Sequence, residues 1–141
     1  MKFSILSWNI ERNKEALEVL LEEAKYDVLA IQEPWKNKQT GSTYCPRSSK
    51  YHLVHSPEGR AAIFVSRRHE VGLWDYEAAH NWCRVQFPTL GTNGLEVWSV
   101  YNPRQPLANT NDTPPLPNLL QRPAPTTPVV VAGDFNLHHP L

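Results

Sequence analysis

Apolar and polar positions over the first third of the chain follow a strand, helix, strand order. Apolar side chains stand on both parities of residues 3–9, which predicts a strand buried on both faces and therefore central in its sheet. From residue 14 to residue 25, leucine and alanine recur at helical spacing, and Asn13 is placed to cap the start of a helix. A short apolar run at 28–31 ends near Glu33 and Pro34, where proline stops both helix and ladder. This order predicts a βαβ-like opening.

Two hairpins are predicted in the middle of the chain. Tyr51–His55 and Ala61–Ser66 carry strand patterns on either side of the turn-forming residues 56–59. Trp82–Phe87 and Leu95–Tyr101 alternate again and flank a longer loop, as in a second hairpin.

A proline-rich stretch and an apolar run make up the C-terminal part. Residues 103–128 hold 8 of the 13 prolines, which predicts an irregular loop with one short helix around 118–121. The run at 129–132 is apolar throughout and predicts a buried strand with neighbours on both sides. Because the chain stops a few residues later, we expect the fold to be incomplete at this strand.

Composition narrows the class of protein without selecting a partner. A length of 141 residues fits one domain, 1–141, with a single hydrophobic core. The 40% hydrophobic and 20% charged residues are typical of a globular chain. Its 14 basic and 14 acidic side chains give a net charge of +0, so binding to a polyanion requires a local patch or a bound cation.

Cysteine usage and apolar run lengths bear on the compartment. Cys45 and Cys83 form neither a disulfide framework nor a zinc motif. No apolar run approaches the roughly 20 residues of a membrane span, and the N-terminus lacks a signal-peptide core. We therefore expect an intracellular protein, nuclear or cytoplasmic, with no membrane partner.

Polar side chains follow four of the predicted strands, at the ends where loops converge and sites are commonly built. Carboxylates at several strand ends could converge on a hard cation such as Mg²⁺, which takes oxygen ligands and keeps waters for substrate phosphates. The alternative is structural: a cap or turn after the first strand, and an Asx turn at residues 133–136. The four groups are Asn9 with Glu11, Glu33 alone, Tyr101 with Asn102, and Asp134 with Asn136.

Three further features have a functional and a structural interpretation. His138 and His139 could bind a metal, but adjacent histidines rarely point the same way, which favours exposed loop residues. The five tryptophans could stack on bases, although tryptophan at strand parity is more often core. A basic cluster could touch phosphates, although short basic runs are usually solvated loop ends. That cluster consists of Arg60, Arg67, Arg68 and His69.

Four short motifs, taken in order, carry a family resemblance. They are Ser7-Trp8-Asn9-Ile10-Glu11, Ile31-Gln32-Glu33, Ser99-Val100-Tyr101-Asn102-Pro103 and Gly133-Asp134-Phe135-Asn136. Together they resemble the endonuclease/exonuclease/phosphatase superfamily, which has the DNase I-like fold. The Gln-Glu-Pro-Trp context at 32–35 and the Gly-Arg-Ala-Ala-Ile segment at 59–63 are most like the apurinic-type endonuclease domain of non-LTR retrotransposons. The resemblance spans the whole chain. It implies an α/β (α+β) two-sheet αββα sandwich, here truncated to roughly the first sheet plus its flanking helix.

The resemblance also implies a metal site. Glu33 would be the principal ligand of Mg²⁺, with Mn²⁺ as the alternative cation, and Asn9 and Glu11 would support the metal. Glu11 stands where many members carry Asp, so we expect its longer side chain to meet the metal with a different geometry.

The remaining motif residues are implied to act on the phosphate and the attacking water. Tyr101 would contact the scissile phosphate, with Asn102 and Arg60 beside it. Asp134 would activate or orient the water, and Asn136 would bind and position the phosphate or the catalytic dyad. The implied chemistry is in-line attack of water on a phosphodiester.

One departure from the family limits what the resemblance implies. Members run further and supply another Asp and a Ser-Asp-His segment that this sequence lacks. We therefore expect the N-terminal part of a domain, with unpaired sheet edges through which it could self-associate. The leading hypothesis is a Mg²⁺-dependent retroelement-type endonuclease with DNA as substrate. The alternatives are a phosphatase or phospholipase branch of the same fold, and a non-catalytic remnant that binds metal or nucleic acid weakly.

Overall fold

A computed structural model of the chain describes residues 2–103 and 127–134. These residues form one helix and eight strands in two sheets. The elements are β1 (Ile5–Asn9), α1 (Lys14–Glu23), β2 (Val28–Gln32), β3 (Tyr51–His55), β4 (Ala61–Ser66), β5 (Asp75–Ala79), β6 (Trp82–Phe87), β7 (Leu95–Tyr101) and β8 (Val129–Asp134). The short helix predicted around 118–121 lies outside the described residues, as do Asn136, His138 and His139.

The first sheet has the strand order β1-β2-β4-β3. β1 and β2 are parallel and joined through α1, which confirms the predicted βαβ opening. The side chain of Asn13 accepts a hydrogen bond from the Ala16 N–H at 3.0 Å, so the predicted N-cap is confirmed. β3 and β4 pair antiparallel, as the first predicted hairpin requires.

The second sheet has the strand order β5-β6-β7-β8. β6 and β7 form the second predicted hairpin, and β8 runs parallel to β7. The sequence pattern missed β5, because most of its side chains are exposed and its sequence does not alternate. The described residues supply four strands to each sheet. The second sheet therefore has more strands than we expected from a domain truncated to roughly its first sheet.

Two predictions about strand position are wrong for the described residues. β1 lies at the edge of the first sheet rather than at its centre, and Trp8 on it is 45% exposed. β8 pairs with β7 alone, and Val131 on it is 48% exposed although its run is apolar throughout. The apolar run therefore predicted the strand β8 correctly, but it predicted more burial than β8 has.

The first sheet is covered on both faces. On its outer face, Leu17 and Leu21 of α1 pack against Leu29 and Phe64. Its inner face meets the second sheet in a core of buried aliphatic, aromatic and thiol side chains. That inter-sheet core contains Val28, Val54, Ile63, Val65, Cys83, Val85, Phe87 and Val97. The packing gives a helix, sheet, sheet order of layers and confirms the predicted α/β class.

The described part of the chain contains no helix with the length and hydrophobicity of a membrane span.

Candidate functional site

Both sheets bring strand ends to the same end of the sandwich. Asn9 is in register with Gln32 at the end of the first two strands, and Tyr101 is in register with Asp134 in the second sheet. The buried Gln32 joins the sheets, because its Nε2 donates to Ser99 Oγ at 3.0 Å. The strand ends predicted from sequence to carry a site therefore do converge, and we call this region the site end.

Glu33 sits at the site end in an unusual backbone conformation. Its φ is +51°, in the left-handed region that non-glycine residues seldom adopt. Two hydrogen bonds hold it there: its N–H donates to Arg60 O at 2.7 Å, and its carbonyl accepts from Arg12 N at 2.7 Å. The side chain is half-buried, and its carboxylate has no hydrogen-bond or ion-pair partner among residues 2–103 and 127–134. The backbone is thus fixed while the carboxylate stays available to a ligand.

Asn9 makes a turn directly after β1. Its Oδ1 accepts a hydrogen bond from the Glu11 N–H at 3.0 Å, so Asn9 forms the turn that the structural interpretation describes. Glu11 and Arg12 follow with φ of 52° and 60° and are exposed. Asn9 therefore has a turn-forming role, and Glu11 lies at the surface beside it.

Tyr101 ends β7 against two residues from elsewhere in the fold. Its N–H donates to Asn81 O at 2.8 Å, and the Arg60 guanidinium lies over its ring, 5.3 Å from the centroid. The neighbouring Asn102 is buried. Arg60 comes from the first sheet and Tyr101 from the second, so this contact crosses the site end. Arg60 therefore lies at the site end, away from the other members of the basic cluster.

Asp134 is the last residue of β8, and its backbone is in register with Tyr101 of β7. Gly133 precedes it, and a Cβ at that glycine would meet the Val100 carbonyl oxygen. Glycine is thus required where β8 closes on β7, which explains the first residue of the Gly-Asp-Phe-Asn motif.

Strained backbone is concentrated at the site end. The described residues contain four non-glycine residues with positive φ, and all four follow β1 or β2 or lie in the turn before β6. Such residues persist where the surrounding structure holds them, and they gather at active sites. The four are Glu11, Arg12, Glu33 and Asn81.

A further carboxylate at the site end, that of Glu58, is not among the residues predicted from the sequence. Glu58, in the β3–β4 loop, accepts a hydrogen bond from the Asn81 N–H at 2.6 Å and contacts His80 Nδ1 at 3.0 Å. Burial raises the pKa of Glu58, but these hydrogen bonds outweigh burial and hold its pKa below the ordinary value. Its partners lie more than 20 residues away. No local pattern could have identified it.

An open groove of about 720 Å³ runs beside Glu33. Four cationic side chains and two carboxylates line it, so the groove carries a positive excess. Trp35 also lines it, and Lys14 Nζ lies 4.8 Å from the centroid of that ring. The cationic residues are Arg12, Lys36, Lys38 and Arg60, and the carboxylates are Glu33 and Glu58.

The donors at the site end suit a hard cation with few protein ligands. Within the described residues, no group of three or more His, Cys, Asp or Glu side chains could hold a metal. Mg²⁺ commonly uses one or two carboxylates and fills its other positions with water and substrate oxygens. The available carboxylate of Glu33, with the amide of Asn9 on the adjacent strand end, fits that requirement.

The rest of the basic cluster lies at the opposite end of the first sheet. Arg67 Nε donates to Ser49 O at 2.7 Å, and Arg68 pairs with Asp27 at 2.6 Å. His69 also contacts Asp27, at 2.9 Å. These bonds support the structural interpretation of the three residues rather than a phosphate contact at the site end.

The fold and site define a two-sheet α/β protein with a carboxylate at the converging strand ends. Residues 6–141 match the model of the Endonuclease/Exonuclease/phosphatase family. The chain therefore belongs to that family. No curated protein matches the chain.

A solved structure shows the same fold. The chain is similar to an endonuclease/exonuclease/phosphatase family protein from Leptotrichia buccalis C-1013-b, with a TM-score of 0.58 and 15% sequence identity. The similarity covers 96% of this chain and 67% of the bacterial one. At this identity it shows the fold, which is the DNase I-like fold expected from the motifs.

Proposed function

We propose that this chain hydrolyses phosphodiester bonds in DNA with the help of a divalent cation, Mg²⁺ or Mn²⁺. The observation that carries the proposal is the available carboxylate of Glu33, held in a strained conformation where the strand ends of both sheets meet. Membership of the Endonuclease/Exonuclease/phosphatase family supports a nuclease or phosphatase type of hydrolase in general. Enzymes of this family generally use divalent metals.

Glu33 would hold the cation, with Asn9 and Glu11 supporting it and its bound waters. A bound divalent cation supplies neutralising charge for the phosphoryl oxygens and the leaving group. Because Arg12 and Arg60 hold the backbone of Glu33, the position from which its side chain reaches a ligand is fixed.

Tyr101 and Arg60 would bind the phosphate. The guanidinium over the Tyr101 ring places a permanent positive charge beside the phenol, and both groups can donate to phosphate oxygens. Asn102 follows Tyr101 and would contribute to the same contact. Asp134, beside Tyr101 in register, would orient the attacking water, and Asn136 would position the phosphate.

The groove favours a polyanion over a small phosphate ester. Two of its four cationic side chains, Lys36 and Lys38, lie in the loop that follows β2, and Arg12 and Arg60 come from other loops. Cationic side chains spread in this way could neutralise successive phosphates of a strand. The groove also contains Trp35 of the Gln-Glu-Pro-Trp context and Arg60 of the 59–63 segment. Both segments resemble retroelement endonucleases, which supports a retroelement type of DNA endonuclease.

A panel of phosphoester substrates tests this proposal. The purified chain is incubated with supercoiled plasmid, with p-nitrophenyl phosphate and with phospholipid vesicles, each with Mg²⁺ and with a chelator. We expect Mg²⁺-dependent nicking of the plasmid and little release from the other two substrates. Faster hydrolysis of the small ester or of the lipid would assign the chain to the phosphatase or phospholipase branch. DNA binding by a folded chain without cleavage would indicate a non-catalytic protein.

A further inference from the structure

Glu58 links the two sheets at the site end. It lies in the β3–β4 loop of the first sheet, and both of its carboxylate oxygens contact the β5–β6 turn of the second sheet. Oε1 accepts the Asn81 N–H at 2.6 Å, and Oε2 lies 3.0 Å from His80 Nδ1. Lys36 Nζ donates to the carbonyl of Glu58, which also ties this loop to the groove wall. The β5–β6 turn therefore holds the Glu58 carboxylate, and Lys36 holds its backbone.

The turn that Glu58 holds is the one that contacts Tyr101. Asn81 is fully buried, with a φ of 62°, so its two backbone bonds have fixed directions. Its N–H donates to Glu58, and its carbonyl accepts the Tyr101 N–H at 2.8 Å. One peptide segment thus connects the Glu58 carboxylate to the backbone of Tyr101.

Arg60 makes a second connection from the same loop. It follows Glu58 by two residues, and its guanidinium covers the Tyr101 ring at 5.3 Å. Glu58 therefore acts on the backbone of Tyr101 through Asn81, while Arg60 acts on its ring. A shift of this loop would move both restraints on Tyr101 together.

We propose that Glu58 is a positioning residue for Tyr101: by holding Asn81, it fixes the backbone from which the phenol reaches the phosphate. The inference rests on the proposed function, in which Tyr101 contacts the scissile phosphate. A positioning role predicts that the reach of the carboxylate matters more than its charge, since the Asn81 N–H needs an acceptor at a fixed distance.

Two conservative variants separate reach from charge. Glu58→Asp keeps the charge but withdraws the acceptor by one methylene, whereas Glu58→Gln keeps the reach and one acceptor oxygen. Glu77→Asp is the matched control, because Glu77 lies in the same β5–β6 hairpin away from the turn. None of the three changes removes an apolar core side chain.

The first readout does not depend on activity. The chain is labelled with ¹³Cζ-tyrosine, and the Tyr101 resonance is assigned by its loss in Tyr101→Phe. We expect Glu58→Asp to shift or broaden that resonance, and Glu58→Gln and Glu77→Asp to leave it close to the wild-type position. A Tyr101 resonance unchanged in folded Glu58→Asp would overturn the proposal, even if the chain proved inactive on every substrate.

The second readout is kinetic and uses a double-mutant cycle. We expect Glu58→Asp to lower kcat roughly 10- to 100-fold with little change in KM, as expected for a misplaced phosphate contact. In the Tyr101→Phe background the same change should cost little more, because the group that Glu58 positions is gone. An equal loss in both backgrounds would show that Glu58 acts independently of Tyr101 and would overturn the proposal.

Discussion

Asp27 is a buried carboxylate, 6% exposed, at the opposite end of the first sheet from the site. Its oxygens accept hydrogen bonds from the backbone and side chain of Ser4, and they pair with Arg68 and His69. Burial raises the pKa of Asp27, but the hydrogen bonds from Ser4 and His69 and the charge of Arg68 together hold the pKa below its ordinary value of 3.8. Asp27 thus stabilises the fold in its charged form.

This lowered pKa predicts the sign of an acid effect. The stabilisation by Asp27 is fully present above about pH 4, the pKa of an unfolded Asp, and is lost as the pH falls from there through the folded pKa. At pH 7, Asp27→Asn should lower the free energy of unfolding by roughly 1–3 kcal/mol, because charged hydrogen bonds are lost. Urea unfolding of the wild type and of Asp27→Asn at several pH values measures these free energies. The variant should lose less stability than the wild type between about pH 4 and pH 2.

Asp75→Asn is the control, since Asp75 is an exposed carboxylate in β5. Its free energy of unfolding should stay within about 0.5 kcal/mol of the wild type. If Asp27→Asn were equally mild, the cluster around Asp27 would not contribute to stability.

Individual residues differ in how far the sequence could predict them. The place of Glu33 at the end of β2 could be predicted because Glu33 directly follows an apolar strand and precedes proline, both of which are local signals. Glu58 and Asp27 could not, because their partners lie more than 20 residues away and meet them only after the sheets form.

At the level of the element, local patterns predicted α1 and most of the strands. Helical spacing and an N-cap are properties of a few neighbouring residues, so α1 begins where the sequence indicated. Position within a sheet depends on which strand lies beside which. That is why β1 and β8 were identified as strands but given central places that they do not have in the described residues.

Gly133 allows a test of whether the close pairing of β7 and β8 stabilises the fold. A Cβ at this position would meet the Val100 carbonyl oxygen, so Gly133→Ala should force the two strands apart and cost roughly 1–3 kcal/mol in the free energy of unfolding. Val131→Ala on the same strand is the control, because Val131 is exposed, and should cost less than about 1 kcal/mol. Denaturant unfolding compares them. Equal stability of Gly133→Ala and wild type would mean that the close approach of β8 to β7 is not required.

For the whole molecule, the short sequence motifs predicted the fold, whereas the hydrophobic periodicity predicted only its separate elements. The two-sheet DNase I-like fold was expected from four short motifs and is shown by the family match and the structural similarity. Periodicity alone could not have assigned strands to two sheets, because the contacts that join the sheets at the site end connect residues far apart in sequence, such as Gln32 and Ser99, 67 residues apart. The chemistry of the site stays a prediction.

We propose above that the carboxylate of Glu33 binds the cation of a metal-dependent phosphodiesterase. The most direct test compares plasmid nicking by wild type, Glu33→Gln and Glu22→Gln, the last being an exposed control on α1. All three are first shown to be folded by near-ultraviolet circular dichroism and are then assayed with Mg²⁺ and with a chelator. The wild type and Glu22→Gln should nick with Mg²⁺ alone. Glu33→Gln should be slower by at least about 100-fold, since losing a metal contact costs several kcal/mol. Undiminished Mg²⁺-dependent nicking by Glu33→Gln would contradict a metal-binding role for Glu33.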